Sequence, residues 1–123
     1  MISEQMNEAA LEAMKLTRKF FVVELDFSPA SLTSLDNLFD DVEFALNGGK
    51  SEENIELLTR SWGSYTGEVI RRNIGGEWQA DESGVDGAKL IVNDQTLLPH
   101  QAVRDRLANS SAPGLAQLYQ DVN

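Results

Sequence analysis

Cysteine is absent from the 123 residues, which removes disulfides, thiolate metal sites and cysteine nucleophiles from consideration. Histidine occurs once, at His100, so an ordinary zinc site would need carboxylates for nearly all its ligands. Bases are scarce: ten Lys and Arg stand against twenty Asp and Glu, a net charge of −10. Duplex nucleic acid is held by clustered cations and is therefore not an expected partner. No apolar run is long enough to span a membrane, and "MISEQMNEAALEAMKLTRKF" puts acids ahead of bases with no unbroken apolar core, unlike a secretion signal. A cytoplasmic location is the expectation. Missing too are G-x-S-x-G, G-x-x-x-x-G-K-[ST] and a G-x-G-x-x-G after a strand, the loops that present a nucleophile or cradle phosphates. No metal and no cofactor is expected, and the balance leans away from an enzyme.

What is present is a hydrophobic fraction of 41% with 24% charged residues, enough for one domain spanning 1–123 with a single core. Met6, Ala10, Ala13, Met14 and Thr17 recur at helical spacing, with Ser3 available as a cap, and predict a first helix to about Arg18. In "FFVVELDF" the period changes to two: Phe21, Val23, Leu25 and Phe27 share one face, which predicts a strand stopped by Ser28-Pro29. Leu32, Leu35, Phe39, Val42 and Leu46 predict a second helix ending at Asn47-Gly48-Gly49. Ser51-Glu52-Glu53 opens a third, carried by Ile55, Leu58, Trp62, Tyr65 and Val69 and closed by Arg71, Arg72 and Gly75.

Beyond it, "GEWQADE" reads as a strand and "KLIVNDQTLL" as two short strands around Asn93-Asp94. "QAVRDRLA" and "GLAQLYQDV" read as two short helices separated by "NSSAPG". The fold class is α+β, with helices packed on one face of a small, mainly antiparallel sheet in the order α-β-α-α-β-β-β-α-α.

The third helix raises the sharpest question. At about 100° per residue, Gly63, Gly67, Ile70 and Ile74 lie nearly opposite the Ile55–Val69 stripe, so this helix is packed on two sides. Each interior glycine costs about 1 kcal/mol against alanine, which implies a close approach by the sheet, another helix, a second subunit or a ligand. A homodimer joined through that smooth face or through an exposed sheet edge is one expectation. Glu68 precedes Arg71 and Arg72 by three and four residues and reads first as an exposed ion pair. Tyr65, Glu68, Arg72 and Trp78 are the candidate ligand-binding residues, able to border a polar cleft for a small molecule.

"GSYTGEVIRRNIGGEW" and "LDFSPASLTSLDNLFDD" resemble two signatures of an uncharacterised family of small bacterial proteins, a domain of unknown function. The patterns are G-x-Y-x-G-E-V-I-R-R-x-x-G-G-x-W and L-D-x-S-x-x-S-L-x-x-L-D, and the likeness covers roughly Val23 to Gln79. It implies that Asp26, Ser31, Asp36, Gly63, Gly67, Glu68, Arg72, Gly76 and Trp78 belong together. It implies no activity.

Between Glu24 and Glu56 nine acids meet one base, Lys50. Asp36, Asp40 and Asp41 are the candidate partner-binding residues, on a face that suits a cationic protein. They lack the spacing of an EF-hand loop. Glu24 and Asp26 could pair as acid and base opposite Glu68 or Glu77, although Asp26 reads first as a helix cap. His100, after Pro99, reads as a helix-start residue. The leading functional expectation is a non-enzymatic interaction protein of accessory or immunity type; the alternative is a small-molecule binder or weak enzyme using the cleft at Tyr65, Glu68, Arg72 and Trp78.

Overall fold

The computed structural model describes residues 1–123. It is an α+β domain organised around one helix. That helix, α4 (Glu52–Asn73), starts where the Ser51 hydroxyl accepts from the Asn54 N–H, has Glu52 and Glu53 in its first turn and Arg71 and Arg72 in its last. Side chains and macrodipole thus agree on both ends. From Ser61 to Ile70 every residue is buried, because both the Trp62–Tyr65–Val69 side and the Gly63–Gly67–Ile70 side are covered.

Helix α1 (Ile2–Phe21) packs along α4 through Met6, Ala10, Ala13 and Thr17. Thr17 Oγ1 donates to the Ala13 carbonyl and accepts from Trp62 Nε1 at 3.0 Å, which satisfies the buried indole. The helix begins one residue before Ser3 and continues three beyond Arg18, ending where Val22 takes a left-handed conformation at φ 57°.

The strand expected at "FFVVELDF" does not form. Its faces are as the alternation gives them, with Leu25 buried, Phe21, Val23 and Phe27 half-buried, and Val22, Glu24 and Asp26 exposed. What is lacking is a neighbour: no strand pairs with this stretch, which crosses α4 as an extended strap. Side chains of α4 replace the ladder. The Phe27 N–H donates to the Tyr65 hydroxyl at 2.8 Å, and Asn73 Nδ2 donates to the Phe27 carbonyl at 2.8 Å. Left-handed backbone at Val22 and at Phe27 (φ 63°) bounds the strap, a conformation that costs a residue with a Cβ roughly 1–2 kcal/mol.

The long second helix is interrupted as well. Helix α2 (Pro29–Asp36) is capped by the Ser28 side chain, a 3-10 turn covers Phe39–Asp41, and a single turn, α3, covers Val42–Ala45. The inward residues keep the expected stripe: Leu32, Leu35, Phe39, Val42 and Leu46 are all buried. The break falls at Asp36-Asn37, two poor helix formers whose side chains favour caps and turns.

After α4 the chain forms the antiparallel meander β1 (Glu77–Ala80), β2 (Ala88–Val92) and β3 (Gln95–Leu97). Trp78 pairs with Leu90 and Leu90 with Leu97, a buried row across the sheet. Asn93 and Asp94 both have positive φ, as a two-residue hairpin matched to strand twist requires. Helices α5 (Pro99–Ala108) and α6 (Leu115–Val122) complete the domain. No helix is long and apolar enough to cross a membrane.

The glycine face of α4 is filled by the chain itself, with Trp78 against Gly67 and His100 against Gly63. A methyl on Gly67 would stand 2.2 Å from Trp78 Cη2, and one on Gly63 would stand 2.7 Å from the His100 Cα. A tryptophan ring has some freedom to yield; a backbone atom has little. Gly63→Ala is expected to destabilise the protein by about 1–3 kcal/mol in urea unfolding, although alanine propensity alone would favour it by about 1 kcal/mol. A gain in stability would contradict the packing described.

Candidate functional site

The candidate cleft residues do converge, but on one another. Glu68 has 0% of its surface exposed. Its Oε1 accepts from Arg71 Nη2 at 3.0 Å and Arg72 Nε at 3.3 Å; its Oε2 accepts from Arg71 Nε at 2.7 Å and Trp78 Nε1 at 2.9 Å. Four donors fill the four lone-pair sites of a carboxylate. The expected exposed ion pair is therefore corrected to a buried acceptor held by two partly exposed arginines. Burial, the largest single influence, pushes the Glu68 carboxyl pKa up; bonds from Arg71 and Trp78 and the charges of Arg71 and Arg72 together outweigh it and hold the pKa below the ordinary glutamate value.

Tyr65 and Arg72 serve the strap. Phe27 stacks on the Tyr65 ring with centroids 5.1 Å apart, and the Arg72 guanidinium lies 3.6 Å from the Phe27 ring centroid. Arg72 Nη2 also donates to Asn7 Oδ1 of α1 at 2.6 Å. Ser31 Oγ, 2.6 Å from the Tyr65 hydroxyl, spends its own proton on the Ser28 carbonyl, so Tyr65 donates to Ser31 and accepts from Phe27. Burial raises the Tyr65 pKa and keeps the phenol neutral. Glu68 has no free acceptor for a ligand, and the Tyr65 hydroxyl is committed on both sides.

The remaining candidate residues lie apart from this cluster. Asp36 is not free on an acidic face: its carboxylate accepts from the Leu115 N–H at 2.7 Å and the Ala116 N–H at 3.0 Å, capping α6. Gly114 lets it approach, since a methyl there would stand 2.9 Å from Asp36 Oδ2. Asp40 and Asp41 are exposed. Glu24 pairs with Arg18 at 3.1 Å, while Asp26 accepts from the Ser28 hydroxyl and N–H, bonds that lower its pKa. The two acids therefore form no pair facing Glu68. Of the residues grouped by their resemblance to the two signatures, Gly67, Glu68, Arg72 and Trp78 meet, and Ser31 meets Tyr65. Gly76 packs instead on Val92, and Asp36 serves α6.

Two side chains matter more than their sequence context suggests. His100 does start α5, but it is also buried against Gly63, its ring 5.8 Å from that of Trp78, and its Nε2 is 2.9 Å from Ser64 Oγ. The interior glycine at Gly63 is the signal for such a contact, though nothing local names the side chain that fills the space. Phe44 is 89% exposed and follows Asp40, Asp41 and Glu43. It falls outside the Leu32–Leu46 stripe, and an aromatic off the buried stripe is a signal in itself.

Three surface hollows are lined elsewhere than at Trp78, and Arg60 borders all three. The protein is thus a small α+β domain whose most conspicuous polar cluster is a closed internal joint. Compared with known protein families, with curated proteins and with solved structures, the chain matches none.

Burial pushes the His100 pKa down to about 4, against a weaker opposing pull from Asp86. The unfolded chain therefore takes up a proton as pH falls below about 6.5 while the folded one does not, and stability is lost between about pH 6.5 and 4. Between pH 7 and 5 this amounts to about 2 kcal/mol. His100→Gln is expected to flatten that slope in urea unfolding; the same slope in both proteins would contradict a neutral buried imidazole.

Proposed function

We propose that this protein is a non-enzymatic interaction protein that binds a cationic partner through the acidic turn at Asp40, Asp41 and Glu43, with Phe44 as its apolar anchor. The carrying observation is the exposure of Phe44, 89% in a region rich in carboxylates. Around it, inward-facing Phe39 and Val42 fix the turn to the core. Asp40 and Asp41, exposed in the 3-10 turn, precede Phe44 of α3 by four and three residues. An exposed aromatic anchor preceded in the chain by exposed acids suits a partner with an apolar pocket bordered by Lys and Arg.

Asp36 drops out of the surface as the cap of α6, so the patch is narrower than the sequence suggests. A ligand cleft at Tyr65, Glu68, Arg72 and Trp78 has no supporting observation, since their principal polar groups are bonded within the chain. The proposed mechanism is docking alone: long-range attraction by the negative surface, then burial of Phe44.

Immobilised wild-type protein is expected to retain basic partners at low ionic strength and release them as salt rises from about 0.05 to 0.5 M. A folded Asp40→Asn/Asp41→Asn/Phe44→Ala variant is expected to bind the same partners at least about 30-fold more weakly, the loss of a hot-spot residue. Equal affinity of the variant for those partners would overturn the assignment.

A further inference from the structure

Lys15, Lys19 and Arg60 line a hollow of about 300 Å³ between α1 and α4, whose wall also includes Leu16, Leu57 and Phe20, with the Lys19 ammonium 5.2 Å from the Phe20 ring centroid. Three of only ten cations meet there, in a chain with twenty acids. The ion pairs of the molecule, Arg18–Glu24 and Glu68 with Arg71 and Arg72, leave all three out. Lys15 and Lys19 are four residues apart on one helix, a like-charge spacing that disfavours the helix. Glu12 borders the same hollow without forming an ion pair. The larger hollow, of about 500 Å³, mixes Glu53, Glu56 and Asp86 with Arg60 and Arg104 and favours neither sign.

We infer that the hollow between α1 and α4 binds a small single-chain amphiphile with an anionic head. Lys15, Lys19 and Arg60 receive a carboxylate or phosphate monoester, and Leu16, Phe20 and Leu57 cover the chain. The size of the occupant follows from the volume: at roughly 30 Å³ per water-sized unit, it holds about ten non-hydrogen atoms. Octanoate has that size. Its charge relieves the repulsion between the lysines, and its chain removes water from the half-buried leucines and the exposed edge of Phe20.

The test titrates the full chain with octanoate, octyl phosphate, octanol, acetate and inorganic phosphate, following amide shifts by NMR. Octanoate or octyl phosphate is expected to shift Leu16, Phe20 and Leu57 with a Kd on the order of 0.1 mM, and the tighter of the two identifies the head group. Lys15→Gln/Lys19→Gln/Arg60→Gln, all at exposed positions, is expected to weaken that binding at least tenfold with the circular dichroism of the fold unchanged. Phe20→Ala should weaken it about threefold or more. Equal binding of octanol would show that charge plays no part, and equal binding of acetate or inorganic phosphate that the apolar wall plays none; either result, or no shift with any probe, overturns the site.

Discussion

A carboxylate removed wholly from water is the constraint on which this fold turns. Burying a charge costs several kcal/mol unless donors replace the lost hydration, and Glu68 has four. Each donor brings a piece of structure with it. Trp78 fixes β1 against α4, and its ring lies where Gly67 leaves no side chain. Through the Trp78–Leu90–Leu97 row the same bond sets the sheet on the helical layer. Arg72 continues outward to Phe27 of the strap and Asn7 of α1. One side chain thus links α4, β1, the strap and α1. Arginine suits this role because its planar, branched head bonds the carboxylate while its far side stays in solvent.

The surface carries what the joint does not use. Asp40 and Asp41 are exposed in the turn that precedes the exposed Phe44, whereas Lys15, Lys19 and Arg60, which enter no ion pair, line one hollow between α1 and α4. The two regions differ in sign and in shape: a protruding aromatic suits a protein partner with a pocket, and a hollow suits a small molecule. Neither contributes an ion pair within 4 Å to the fold. Interior and surface electrostatics therefore answer to different demands.

Much of the fold is legible in the sequence where the signal is local. Both ends of α4, its two apolar sides, the close approach at Gly63 and Gly67 and the Asn93-Asp94 hairpin follow from periodicity, capping and turn chemistry. Alternation places Phe21, Val23, Leu25 and Phe27 on the correct face of the strap, but it reports which side is buried and cannot report whether a strand lies alongside. Tyr65 and Asn73, some forty residues away, supply the bonds instead. Asp36 is misread for the same reason, because the helix it caps lies 79 residues on. The candidate site is the least legible part. Glu68 falls between the apolar sides of α4, where an isolated helix would leave it in water, and Trp78, which meets it there, comes from the sheet beyond the helix.

The carbon chemical shift of the Glu68 carboxyl, followed by NMR against pH together with the Trp78 indole N–H, tests the role of this joint most directly. A folded pKa below the unfolded one means that the joint stabilises the protein above the ordinary glutamate pKa and that this stabilisation is lost as pH falls through the folded value. The carboxyl should therefore stay ionised below the ordinary glutamate range, with the Trp78 signal unchanged until Glu68 takes up its proton or the fold is lost. Titration of Glu68 at or above the ordinary value, with the fold and the Trp78 signal undisturbed, would contradict the claim that this carboxylate holds the structure together.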